Sequence, residues 1–223
     1  MRNILLTMAI ISLIGLPVVF FTSCGEEKTV SKPTPTPKTE PETISEPPVI
    51  RKSAVPEGVV FFEAEDFDQN KSVMEKGAVK WHVKDDEKAY GKKYVTPTGA
   101  SRKGETELVY QIPEIKKSGR DWKLWMRVIF PKAGGEAADS FFWDLSLDGK
   151  KWPGKNEVIA GESIADWQWR GWKMRRKPDK GKDNWFKLLE RESDIKVDVI
   201  CLRSDGKMPD DAEYEAYLKV VGQ

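Results

Sequence analysis

Trp122-Lys123-Leu124-Trp125-Met126-Arg127-Val128-Ile129-Phe130 is the stretch that decides the fold. Trp122, Leu124, Met126, Val128 and Phe130 place an apolar side chain at every second position, and Lys123 and Arg127 lie on the opposite face. A period of two is the pattern of a strand with one buried face; a helix would repeat at about 3.6 residues. The same alternation recurs outward in both directions. Phe141, Trp143, Leu145 and Leu147 stand opposite Ser140, Asp144 and Ser146, and Ile195, Val197, Val199 and Cys201 stand opposite Lys196 and Asp198. Thr106, Leu108, Tyr110 and Ile112 form another run, and Tyr214, Ala216, Leu218 and Val220 form the last. Val59 to Glu65 and Ala78 to Val83 are β-prone, and 167–174 and 185–189 read as further strands. Gly134-Gly135, Asp148-Gly149, Pro178-Asp179 and Asp205-Gly206 are turn signals between the runs. There is no long helical pattern and no internal repeat. About eight short strands with turns between them predict an all-β fold, a sandwich or barrel, over residues 56–223.

Composition excludes several classes of function. The chain has 223 residues, with 37 Lys plus Arg against 36 Asp plus Glu. A balance this close to neutral argues against a protein that grips nucleic acid through its phosphates. His82 is the single histidine, which leaves no basis for a histidine-rich zinc site or a histidine-based triad. The two cysteines, Cys24 and Cys201, make no disulfide framework, and Cys201 within a strand reads as a small buried hydrophobe. No Gly-rich phosphate loop or serine elbow is present.

The N-terminus reads as an export signal. Arg2 is the only charge before Glu26, and residues 4–21 are almost continuously apolar. The segment ends Phe21-Thr22-Ser23-Cys24-Gly25, which resembles the bacterial lipoprotein cleavage box although Phe21 stands where Leu is usual. The resemblance implies that residues 1–23 are removed and that Cys24 is lipidated, so a lipid anchors the chain to the cell envelope. Gly25, where inner-membrane lipoproteins favour Asp, points to the outer membrane. The alternative is an uncleaved anchor, since the apolar run is at the lower limit for spanning a bilayer. Residues 24–55 then form a tether, with six prolines between Lys32 and Pro48 among Thr, Glu, Lys and Ser. Such a sequence cannot bury a core, and at about 3.1 Å per residue it could reach roughly 90 Å.

Phe61-Phe62-Glu63-Ala64-Glu65 opens the domain, and on a strand Glu63 and Glu65 point the same way. Two carboxylates on one face repel each other unless they share a cation, and Ca²⁺ is a hard ion that takes oxygen ligands. The other reading is two acids solvating an edge. A catalytic pair is disfavoured, because carboxylates on one strand do not flank a bond from opposite sides.

Taken in order, these motifs resemble a known family. Glu-Ala-Glu at 63–65 is followed by Trp-x-Leu-Trp-x-Arg-Val at 122–128 and Asp-Ser-Phe-Phe-Trp at 139–143. Leu-Asp-Gly at 147–149, Trp-x-Trp at 167–169 and an Arg-x-Asp-Gly turn at 203–206 come next, and an Asp precedes the final run. This is similar to the galactose-binding-like jelly-roll domains, specifically the carbohydrate-binding modules of families 6 and 35, over residues 57–223. The resemblance implies a non-catalytic jelly-roll β-sandwich that binds polysaccharide or another glycan. It also implies a structural Ca²⁺ held by Glu63, Glu65 and Asp211, with Asp210 as the alternative. In the family, loops at one end of the sandwich offer aromatics beside Asn or Asp, which here points to Tyr90, Tyr94, Trp152, Asn156 and Trp172. An aromatic plate stacks on the apolar face of a pyranose while polar neighbours bond its hydroxyls. The competing reading for each is burial beneath a loop, whereas Trp122 and Trp143 belong to the core. Lys173, Arg175, Arg176, Lys177, Lys180 and Lys182 form a basic stretch, which fits either an acidic partner or a solvated loop. The rival function is a structural or protein-interaction sandwich of the envelope, with a protein partner and no sugar.

Overall fold

A computed structural model describes residues 57–221, apart from 100–102, 117, 118, 120, 134, 135 and 161. The signal segment, Cys24 and the tether lie outside the described residues. Strands β1 (Val59–Glu63), β2 (Glu75–Lys76), β3 (Val79–Asp85), β4 (Lys93–Thr98) and β5 (Glu107–Gln111) lead to β6 (Lys123–Phe130). A short hairpin of β7 (Lys132–Ala133) and β8 (Glu136–Ala137) follows, then β9 (Ser140–Ser146), β10 (Asn156–Ile159), β11 (Ile164–Lys173), β12 (Trp185–Leu189), β13 (Lys196–Arg203) and a helix, α1 (Asp211–Val221).

Two antiparallel sheets face each other, as the alternation predicts. One has seven strands in the order β11-β6-β13-β4-β3-β2, with β1 also paired to β13; the other has four in the order β10-β9-β12-β5. Leu124, Met126, Val128 and Phe130 of β6 meet Phe141, Trp143 and Leu145 of β9 and Phe186 and Leu188 of β12 in the central core. Trp122 and Trp143 are buried there, and Trp143 stacks on Phe186 with ring centroids 6.1 Å apart.

Strand β13 departs from the simple pattern. Its pairing with β6 shifts register between Val197 and Val199, so Asp198 is the extra residue of a bulge. The bulge flips the alternation: Ile195 and Val197 face the central core, but Val199 and Cys201 face the opposite side of the sheet. The reading of Ile195 to Cys201 as one continuous face is corrected accordingly.

The outward apolar face needs a cover, and α1 supplies it. Tyr214 and Tyr217 join Val59, Phe61, Trp169, Val199 and Cys201 in a second core on the outside of the seven-stranded sheet. Phe61 lies 5.3 Å from Tyr214 and 5.1 Å from Tyr217, centroid to centroid. The last run was expected as a strand, and here the sequence reading fails. Asp210 Oδ1 accepts the Glu213 N–H at 2.7 Å, a cap at the start of a helix. Tyr214, Tyr217, Leu218 and Val221 then share one helical face. Arg203, 2 % exposed, fixes the helix to the end of β13. It donates to both oxygens of Asp205 at 2.6 and 2.7 Å and to Glu213 Oε2 at 2.6 Å.

Candidate functional site

The edge strands β10 and β11 leave a groove between the two sheets. Trp143, Lys155, Asn156, Glu157, Val158, Trp172, Lys173 and Arg175 line it, and its volume is about 640 Å³. Asn156 begins β10 and pairs in register with Trp143. Its Nδ2 makes only long contacts, 3.4 Å to Trp143 O and 3.5 Å to Gly154 O, beyond ordinary hydrogen-bond length. Its polar atoms are thus nearly free for another partner. Trp172 is half-buried near the end of β11, edge-on to Phe141 with centroids 5.3 Å apart. The core holds the ring in place, and the rest of it borders the groove.

The other three residues expected at a sugar site do not join them. Tyr94 is buried, against Trp167 at 5.6 Å and Lys196 Nζ at 5.1 Å, so it offers no open ring face. Tyr90 is half-buried, with Tyr214 at 4.5 Å and the Arg127 guanidinium 4.4 Å from its ring. Burial first, then the nearby Asp211 carboxylate, pushes the pKa of its phenol up. Trp152 is half-buried, with Lys187 Nζ 4.3 Å over its ring and that ammonium paired to Glu107 at 2.8 Å. Lys187 and Glu107 are on β12 and β5, so Trp152 covers the four-stranded sheet and does not line the groove.

The acidic residues form a second constellation. Glu63 ends β1, and Glu65 follows in a turn. Gly91, at φ +57°, crosses directly over them; a Cβ there would lie 2.4 Å from Glu63 Oε2 and 3.2 Å from Glu65 Oε1. The left-handed φ favours glycine here, and a side chain would push the two carboxylates aside. Glu63 Oε1 accepts the Tyr214 hydroxyl at 2.7 Å. Burial, with Glu63 beside it, holds the Glu65 carboxyl well above the ordinary range. The bulge at Asp198 aims a third carboxylate toward this place. Its Oδ2 accepts from Arg127 Nη1 and from the Tyr90 N–H at 3.2 Å. Burial still pushes Asp198 up to about 7, against the pull of Arg127.

Whether a hard cation suits these residues can be judged from their oxygens. Glu65 Oε2 and Asp198 Oδ1 are buried with no hydrogen-bond partner. Buried carboxylate oxygens without partners are costly, and a calcium ion is one group that would satisfy them. The donor chemistry therefore fits calcium, although among the described residues no three acids converge into a ready-made cage. Asp211, expected as the third ligand, is placed elsewhere. Its Oδ1 accepts the Trp169 indole N–H at 3.1 Å and lies 3.9 Å from Arg127 Nε. Asp210 caps α1. Asp198 is the residue that the sequence reading missed, and its signal was a lone acid inside the apolar run 197–202.

No family model matches the chain, and no curated protein matches it. Among solved structures it is similar to a family 35 carbohydrate-binding module from Clostridium thermocellum, at 12 % identity and a TM-score of 0.43, over 64 % of this chain and 97 % of that one. It is similar to a family 6 module from Clostridium stercorarium in complex with cellobiose, at 12 % identity and a TM-score of 0.39, over 63 % and 89 %. A Podospora anserina mannanase bearing a family 35 module matches at 16 % identity and a TM-score of 0.43, over 69 % of this chain and 29 % of that one. These neighbours are modules of the two families that the sequence motifs resemble. The reading of the groove rests on its own residues.

Proposed function

We propose that the domain is a non-catalytic carbohydrate-binding module carried on an exported lipoprotein. Cys24 would hold the lipid and fix the chain to the outer membrane, and the Pro-rich stretch would space the module from the surface. The observation that supports the sugar reading is the groove. An indole held by the core and a side-chain amide with weak internal bonds border one open cavity, and they come from different sheets. The ring would lie against the apolar face of a sugar, and Asn156 would bond its hydroxyls. A volume near 640 Å³ is within the range of about 300–1,000 Å³ usual for small-ligand sites. Calcium on Glu63, Glu65 and Asp198 would brace β1 against β13.

The full chain, purified in a mild non-ionic detergent, should be slowed by one class of polysaccharide in affinity gels. Trp172→Ala should weaken that retention on the order of tenfold. A folded protein that no polysaccharide retards would overturn the proposal in favour of a protein-interaction module. A hollow of about 220 Å³ between α1 and β1, bordered by Val60, Pro113, Tyr217, Val220 and Val221, favours that alternative.

A further inference from the structure

The groove carries more positive charge than its surroundings neutralise. Lys155, Lys173 and Arg175 line it, and its one acid, Glu157, is already taken by Arg191 at 2.6 Å. Lys173 and Arg175 have no ion-pair partner among the described residues. Lys155 Nζ donates to the backbone carbonyls of Lys103 and of Gly104, the latter at 2.7 Å, and lies 5.9 Å over the Phe142 ring, with no carboxylate partner among the described residues. Elsewhere the buried and half-buried Arg127, Arg176, Lys187 and Arg203 each face a carboxylate, while exposed lysines such as Lys84, Lys150 and Lys207 have no ion pair among the described residues; the groove differs in gathering three cations around one cavity. It is also not a by-product of a basic chain, whose formal charge is only +1.

Placement strengthens the point. Lys173 ends β11 and Arg175 lies in the bend after it, with buried Met174 between them. Both cations are exposed and, like Trp172, line the groove. A neutral glycan gives unpaired cations no partner, whereas a polymer with one anionic group on successive sugars gives each of them one. Concave walls also focus the field and raise the local concentration of anions.

The geometry points to an acidic polysaccharide, carrying carboxylate or sulfate on its sugars, as the ligand of this groove. The inference rests on the groove being the sugar site and adds the charge of the sugar. Lys173 and Arg175 act at the rim as anion partners, while Trp172 and Asn156 recognise the sugar itself.

The test uses the full chain in detergent and five polymers: polygalacturonate, its carboxyl-reduced neutral form, dextran sulfate, dextran and polyglutamate. The expected result is tighter binding to polygalacturonate or to dextran sulfate than to the matching neutral polymer, weakening as salt is raised. Whichever acidic polymer binds better identifies carboxylate or sulfate. The exposed double variant Lys173→Gln/Arg175→Gln should lose about tenfold in affinity for it and should keep its melting temperature. Equal, salt-insensitive binding of acidic and neutral polymers would overturn the inference while leaving the sugar site intact. Equal binding of polyglutamate would overturn it too, because charge alone would then suffice. Binding of none of the five, or of any wider glycan panel, would remove the sugar site itself.

Discussion

Arg203→Met removes the clamp that joins α1 to the sandwich, and its cost can be worked from the contacts. Three charge-assisted hydrogen bonds of 2.6 to 2.7 Å disappear. Each such bond to a charged group contributes about 1.5–3 kcal/mol net. The simple total overstates the loss, because the side chains of Asp205 and Glu213 are 37 % and 23 % exposed and water can reach both once the guanidinium is gone. The methionine stem also keeps part of the packing. A loss of about 2–4 kcal/mol remains, or on the order of 8 °C in melting temperature for a domain of this size. Thermal unfolding followed by circular dichroism measures it. A cycle with Glu213→Gln separates the part that crosses to the helix, and the two changes should be less than additive. A shift under 2 °C, or strict additivity, would refute the view that α1 is fixed to β13 through Arg203.

Four further outcomes are expected. Arg203, more than any other group, holds the Asp205 carboxyl below its usual range. Its contribution is complete above the unfolded carboxylate pKa of about 3.9 and is lost as pH falls through the lower folded value. The melting-temperature gap between the parent and Arg203→Met should therefore narrow as pH drops below about 4. Gly171→Ala would set a Cβ 2.5 Å from the Trp125 ring; urea titration should show a loss of about 1–3 kcal/mol, and no change would mean that the ring moves freely. Calcium at about a hundred times its dissociation constant should stabilise the parent by about 2.7 kcal/mol. Glu65→Gln should abolish that increment, and an unchanged increment would place the ion elsewhere. Phe61→Ala, which empties a site between Tyr214, Tyr217 and Trp169, should cost about 3–5 kcal/mol in the same titration.

The sandwich was legible because its core strands alternate cleanly. Leu124 to Phe130 and Phe141 to Leu145 each turn their alternate apolar side chains to the central core, so a period of two fixes both strand and orientation, even though Arg127, Ile129 and Asp144 are buried on the other faces. The helix was hidden by an ambiguity of spacing. Tyr214, Ala216, Leu218 and Val220 satisfy the strand period, while Tyr214, Tyr217, Leu218 and Val221 satisfy the helical one. Two local signals could have decided it: Asp210 three residues before Glu213 has cap spacing, and Val199 and Cys201 need a cover that another strand could not provide. The bulge at Asp198 left one mark, a lone acid followed by the unbroken apolar run Val199 to Leu202, which the period-two reading passed over. The bulge turns the Asp198 carboxylate toward Arg127 and Tyr90, whereas Asp211 lies against the Trp169 indole. Of the aromatics, Trp172 and Trp152 differ only in what the distant strands place beside them. Lys187, on β12, occupies Trp152, while Trp172 borders the groove beside Asn156 and Val158 of β10, and no local pattern encodes that difference.

The most direct test of the sugar site is a titration followed by the indole N–H resonances of the full chain. The nine tryptophans give separate probes spread over the fold. An oligosaccharide of the retained class should shift the Trp172 signal progressively and leave those of Trp81 and Trp122, both deep in the core, unmoved. Shifts at Trp152 with none at Trp172 would contradict the account, because the ligand would then lie over the four-stranded sheet and not in the groove between β10 and β11.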